Sequence, residues 1–241
     1  MNTPSLLGKG VYSIAEVARI TGIDSRRIRR WVIGYEANGR TYPPVLHTPA
    51  LTIDGSEIIT FLQLMETLCV QSFFKEGVHL PVIRAIGANA SQIYGTPYPF
   101  ALHASMFLTD GKTIWTLSSA AIREIQDENI SESVLYTDLR NGQTAMGYFL
   151  ARYLRKIKYT HDIASQYWPL GEDRRVVLDP ERAFGHPTIA DSRIPTSVLF
   201  NLKRAGEPIS AIARWYRIDE QSVRDAIEFE ENPVQVVPEA A

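Results

Sequence analysis

The chain has one cysteine, five histidines and almost no net charge, and each shortage closes off a class of chemistry. A single Cys69 can form neither an intramolecular disulfide nor a cysteine-based metal cluster, and such usage suits a reducing cytosol. It lies inside the apolar run Phe61 to Val70, which reads as a mostly buried helix, where a free thiol ordinarily acts as a small hydrophobe. His47, His79, His103, His161 and His186 are scattered without metal-ligand spacing, and no glycine-rich phosphate loop or Gly-x-Ser-x-Gly elbow occurs. His161-Asp162 reads as a surface pair in a loop or at a strand edge rather than a catalytic one. The expectation is a protein with no catalytic residues, no metal and no cofactor. No run reaches the roughly 18 uninterrupted apolar residues of a membrane span, and Met1 to Lys9 lacks the apolar core of a signal peptide. A soluble, cytoplasmic protein is therefore expected.

Net charge is −2 with a pI near 6.2, so any nucleic-acid surface must come from uneven placement of charge. That unevenness is found near the start. Ser13 with Glu16 forms a capping-box pattern, and Ile14, Val17 and Ala18 supply an inward face. Thr21-Gly22-Ile23-Asp24 supplies a turn, after which Asp24 or Ser25 caps a second helix with the apolar stripe Ile28, Trp31 and Val32. On that helix Arg26, Arg27, Arg29 and Arg30 crowd together, with no acid between Ser25 and Trp31. Arg26 and Arg30 share a face and Arg27 and Arg29 flank it, while Ile28 and Trp31 turn inward. An arginine on a guanine edge discriminates by about 1–3 kcal/mol, and its neighbours can hold phosphates. Asn38-Gly39 between Tyr35 and Val45 signals a β-hairpin, a wing carrying Tyr35 and Arg40.

The rest of the chain divides by pattern. Helices are expected over Ser56 to about Glu76 and Leu80 to about Tyr94, the latter ended by Gly95-Thr96-Pro97. Residues 97–173 read as a mixed α/β connector, with hairpin signals at Asp110-Gly111 and Asn141-Gly142, a short helix over Ala120 to Asp127 and a strand at Val176 to Leu178 just beyond. Residues 174–231 read as an irregular Gly/Pro-rich stretch followed by three helices, near Ser197 to Ala205, Pro208 to Tyr216 and Glu220 to Phe229. Residues 232–241 read as a frayed tail. The expected fold is mainly α with small β elements, and residues 1–96 form the candidate DNA-binding domain.

Val17 to Asp24 aligns without gaps on Ile212 to Asp219, and Ile28-Arg29 on Val223-Arg224. Both segments read as helix-turn-helix cores, although any three-helix unit needs the same periodicity. Charge separates them. The second helix of the later copy carries Glu220, Asp225, Glu228, Glu230 and Glu231 against Arg224, and a phosphate backbone repels it.

Ser13 to Ile23, followed by Arg29-Arg30-Trp31, resembles the N-terminal winged helix-turn-helix of MerR-like regulators, over about the first 95 residues. MerR regulators continue into one long dimerising helix, which Gly95-Thr96-Pro97 interrupts here. The C-terminal stretch resembles domain-of-unknown-function family 433 through Gly185, Pro187, Arg193, Ile194, Pro195 and Thr196, then Gly206, the Ile209 to Tyr216 helix and Val223 to Phe229. The combination is similar to VapB-type antitoxins of the larger, two-domain kind. The resemblance implies repression of the chain's own operon through operator DNA and neutralisation of a PIN-like ribonuclease toxin. It offers Arg193 and the acidic segment with Glu228, Glu230 and Glu231 as candidates for contact with the toxin; Arg193 can equally pair within its own loop.

A helix-turn-helix monomer covers one half-site, so a homodimer reading half-sites about 34–36 Å apart, or a multiple, is expected. Its contact surface comes from the Ser56 to Tyr94 helices or, preferably, from the C-terminal unit. The alternative function is a transcription regulator with an effector pocket around Trp115, Tyr148, Tyr153, Tyr159 and Trp168, aromatics that an α/β core would also need.

Overall fold

The computed structural model describes residues 8–53, 55–102 and 156–232 in full, together with the backbone of four short strands between them. The fold is mainly α with small β elements. Strand β1 (Tyr12–Ser13) runs straight into α1 (Ile14–Thr21), because Ser13 caps the helix and Glu16 returns the bond to the Ser13 amide at 2.8 Å. Gly22 closes α1 in the left-handed region at φ 68°, where glycine carries no Cβ penalty. Helix α2 (Ser25–Val32) follows at once. Strands β2 (Tyr35–Ala37) and β3 (Arg40–Tyr42) then form the hairpin expected from Asn38-Gly39, both turn residues lying at positive φ.

The expected helix from Ser56 begins later than the apolar run suggests. Ser56–Ile59 is strand β5, pairing with β4 (Leu51–Ile53) on one side and β1 on the other, and Ile59 is fully buried in that sheet. Helix α3 (Phe61–Lys75) starts only at a second capping box, Thr60 with Gln63. Helix α4 (Leu80–Tyr94) ends at Gly95, at φ 62°.

In the centre, β6 (Phe107–Thr109), β7 (Ile114–Leu117), β8 (Tyr136–Asp138) and β9 (Thr144–Ala145) make a four-stranded antiparallel sheet. Asp110-Gly111 and Asn141-Gly142 both separate strands of this sheet that pair as antiparallel neighbours. The helix expected over Ala120 to Asp127 lies outside the described residues. A hairpin of β10 (Ile157–Thr160) and β11 (Ile163–Tyr167), turning at His161-Asp162, connects to the last unit through mutual backbone bonds between Tyr167 and Leu178.

That unit opens with β12 (Val176–Val177) and β13 (Thr188–Ile189) and continues as α5 (Thr196–Arg204), α6 (Ile209–Tyr216) and α7 (Glu220–Glu231). Asp225 is wholly buried in α7, and a buried carboxylate must be paired. Arg174 Nε, the Arg175 amide and Gln221 Nε2 donate to it at 2.8, 2.8 and 2.7 Å. The internal echo survives in backbone geometry: Gly22 and its counterpart Arg217 are both left-handed, and Asp24 and Asp219 are both N-caps.

A single apolar cluster runs from Tyr12, Val17 and Trp31 through Leu64, Phe73 and Ile86 to Ile212, Val223 and Phe229. The first and last units therefore share a core rather than merely touching.

Candidate nucleic-acid interface

The orientation of α2 is set from its start and from beneath. The Asp24 carboxylate accepts the Arg26 and Arg27 amides at 3.0 and 3.1 Å, which fixes the first turn. Ile28, Trp31 and Val32 are buried, Trp31 to 1% exposure, and the helical period then turns Arg26, Arg27, Arg29 and Arg30 outward. Ser25 is exposed at the helix start.

The four guanidinium groups differ in their support. Arg27 lies over the Phe74 ring at 4.9 Å and Arg30 over the Tyr35 ring at 5.1 Å. Tyr35 stacks in turn on Tyr42, with centroids 4.6 Å apart and planes within 8°, so hairpin and helix brace each other. An aromatic face holds a guanidinium in place while leaving its charge and N–H edges for phosphate. Arg29 grips Glu57 with both terminal nitrogens, at 3.2 and 2.6 Å, though its side chain stays 56% exposed. Arg26 is exposed and makes no ion pair with any described residue.

Ser25, Arg26, Arg27, Arg29, Arg30 and Tyr35 thus come together on α2 and the base of the hairpin. Arg40 is exposed two pairing positions farther out, about 7 Å along the strand, beside the turn. Glu57, Phe74 and Tyr42 did not emerge from the pattern along the chain. Glu57 falls within a stretch that reads as helix, and the two aromatics act only through the rings and charges the fold lays on them.

The C-terminal candidates separate into two groups. Glu228 accepts Arg174 at 2.5 Å, and Glu230 accepts Arg19 at 2.8 Å and the Thr196 hydroxyl at 2.5 Å, so both stitch the fold together. Arg193 and Glu231 are exposed, and neither pairs with a described residue; the local pairing open to Arg193 is not made. Arg193 sits in the left-handed region at φ 58°.

The Arg19–Glu230 pair belongs to a junction that fastens α1 to the last unit. Arg19 also lies over Phe229 at 5.7 Å, the Tyr12 hydroxyl donates to the Gly185 carbonyl at 2.6 Å, and the Val11 amide donates to the Phe184 carbonyl at 3.0 Å. Burial, with Glu16 and Asp179 nearby, pushes the Tyr12 hydroxyl far above the ordinary phenol range, so it remains a donor.

A cavity of about 660 Å³ opens between the β10–β11 hairpin, the start of α3 and residues 179–181, with Lys9, Tyr98, Tyr159, His161, Gln166 and Glu181 among its walls. Of the aromatics offered for an effector pocket, Tyr159 lines it. Trp168 packs elsewhere with Val177 and Ala190, and the side chains of Trp115, Tyr148 and Tyr153 lie outside the described residues. Among the described residues no cluster of histidine, cysteine and carboxylate side chains could hold a metal, and no helix is long and apolar enough to cross a membrane.

Residues 176–229 match the family described as "Protein of unknown function (DUF433)". The chain is 26% identical over 226 residues to the Mycobacterium tuberculosis (strain ATCC 25618 / H37Rv) protein named "Putative antitoxin VapB45", spanning 90% of this chain and 92% of that one. It is also 26% identical over 237 residues to "Uncharacterized protein Rv2308" of the same strain, spanning 95% and 93%. The crystal structure of Rv2018 from Mycobacterium tuberculosis superposes with a TM-score of 0.60 at 23% identity, over 90% of this chain and 96% of that one. Residues 176–229 therefore form a DUF433 domain, set within a chain that has the fold of Rv2018.

Proposed function

We propose that this chain is an antitoxin and autorepressor: a MerR-like helix-turn-helix and wing, in residues 1–96, bind operator DNA, and another part binds and neutralises a PIN-like ribonuclease. The likeness to a relative named as an antitoxin supports the first term, and the DUF433 domain accompanies it. The observation that carries the DNA-binding term is the outward row Arg26, Arg27, Arg29 and Arg30, two of its members braced on aromatic rings beside a hairpin. Rigid cations on one helix lose less entropy on meeting phosphate than floppy ones, and the exposed Gly22, Asp24 and Ser25 leave the helix start open to a groove. The protein acts as a two-fold dimer, without catalysis and without a cofactor.

Operator binding should be measured by fluorescence anisotropy on the DNA upstream of the gene, across a salt series. Each phosphate neutralised steepens the log–log slope by about 0.9, so four or five arginines per protomer give a steep dependence. A chain that ignores this DNA at low salt, and also fails to hold the product of the adjoining gene, is not an autorepressing antitoxin. The cavity near Tyr159 favours a second reading, a regulator answering a small effector. A library screen by thermal shift that finds no stabilising ligand rejects it.

A further inference from the structure

The two helix-turn-helix copies treat one position in opposite ways. Ile20, at the end of α1, is 1% exposed, whereas its counterpart Trp215, at the end of α6, is 56% exposed. Thr21 is buried, whereas its counterpart Tyr216 is 36% exposed. Arg214 and Arg217 flank the two aromatics; both are exposed and neither pairs with a described residue. The acids next along the chain do not neutralise them. Asp219 is spent on the Ser222 amide and hydroxyl at the start of α7, and Glu220 is held by Arg224 at 2.8 Å.

We propose that the turn Arg214-Trp215-Tyr216-Arg217 is the anchor by which the DUF433 domain docks a protein partner whose surface sets carboxylates around an apolar socket. Tryptophan, tyrosine and arginine dominate the energetics of protein interfaces, because each combines a large apolar body with a directed polar edge. Bare on one turn, they require an occupant that is apolar at its centre and negative at its rim. A duplex meets the charge requirement but not the apolar one. It carries a charge about every 1.7 Å along its length and, with its bases stacked inside, offers no apolar socket to Trp215 and Tyr216. A folded protein can confine its carboxylates to the arginine end.

The position also leaves the DNA-reading helix free. The twelve residues of α7 extend about 18 Å, with the Arg217 turn at one end and the Glu230–Arg19 contact with α1 at the other. One chain can therefore hold operator and partner together.

The proposal rests on the antitoxin reading, so its test separates the two. The probe is the product of the adjoining gene, titrated by calorimetry into the full-length chain and into Trp215→Ala, Arg214→Glu and Ile93→Ala, the last removing an exposed apolar group on α4. Trp215→Ala and Arg214→Glu should each weaken the complex on the order of 30-fold or more. Ile93→Ala should bind as wild type, and all three should retain melting temperature and operator affinity. If the wild-type complex forms and both anchor variants match it, the docking assignment is overturned and the antitoxin reading stands. If the wild type forms no complex, the antitoxin reading falls and takes the assignment with it. If Arg214→Glu loses operator affinity but keeps the protein partner, the turn serves nucleic acid and the assignment is equally overturned.

Discussion

Glu66 lies midway along α3 with no exposed surface, and its environment makes the stability of the whole chain depend on pH in a specific direction. One carboxyl oxygen accepts the Phe100 amide at 3.3 Å, and the other has no hydrogen-bond partner among the described residues. Burial pushes its pKa from 4.5 up to about 8, the Phe100 N–H drawing it only part of the way back. Between those two values the unfolded chain has released the proton and the native chain still holds it. The contribution of this group to stability is therefore whole at acid pH, falls by about 1.4 kcal/mol per pH unit through that interval, and levels off once both states are ionised. Across the interval the loss is on the order of 5 kcal/mol. Glu66→Gln removes the titration while keeping an acceptor for Phe100. Urea unfolding of both proteins at pH 5, 6, 7 and 8 gives the difference in stability at each pH. At pH 5 the variant should be level with wild type or below it by about 1–3 kcal/mol, because its amide leaves donors unmatched in an apolar site. The difference should then swing in the variant's favour with rising pH. Parallel curves for the two proteins would show that Glu66 is ionised in the native state and that its surroundings have been misread.

Four further outcomes are expected. Trp31→Ala should cost about 3–5 kcal/mol in chemical denaturation, since the ring is buried under α2. An unchanged midpoint would contradict its burial. Arg26→Ala and Arg30→Ala should flatten the salt dependence of operator binding by about 0.9 each, with unfolding free energies within about 1 kcal/mol of wild type. Glu57→Gln frees Arg29 from its carboxylate, so affinity for the operator and the salt slope should both rise; a fall in affinity would mean that Glu57 positions Arg29 for DNA. Gly185→Ala would place a methyl 2.3 Å from the Tyr12 hydroxyl oxygen at a φ of +86°, and should destabilise the chain by at least about 1–3 kcal/mol in differential scanning calorimetry.

What the sequence disclosed was local. Ser13 and Glu16, Gly22, Asp24, Asn38-Gly39 and Gly95 each act within four residues, and each stands where its chemistry requires. The arginine row was legible for the same reason, since helical period alone turns Ile28 and Trp31 inward. Ser56–Ile59 reads as helix because its two isoleucines run directly into the apolar face of α3, whereas pairing with β4 just before it and with β1, more than forty residues earlier, makes it a strand. Distance along the chain also concealed the roles of Glu228 and Glu230. Both read as part of an acidic stretch, but Arg19 reaches Glu230 across 211 residues and Arg174 reaches Glu228 across 54. The acid count predicted repulsion from DNA for this helix; the fold spends three of those acids, Asp225 among them, on holding neighbours in place.

Tyr12 and Gly185, bonded across the seam, bear on how this molecule can be taken apart. A fragment stopping at Gly95 would strip Tyr12 of its bond to Gly185 and the end of α1 of its contacts with Phe229 and Glu230, and would cut through the apolar cluster that the first and last units share. The half that bears the arginine row is thus no detachable head: cut away from residues 96–241, it should lose its shape, and with it the operator binding proposed above.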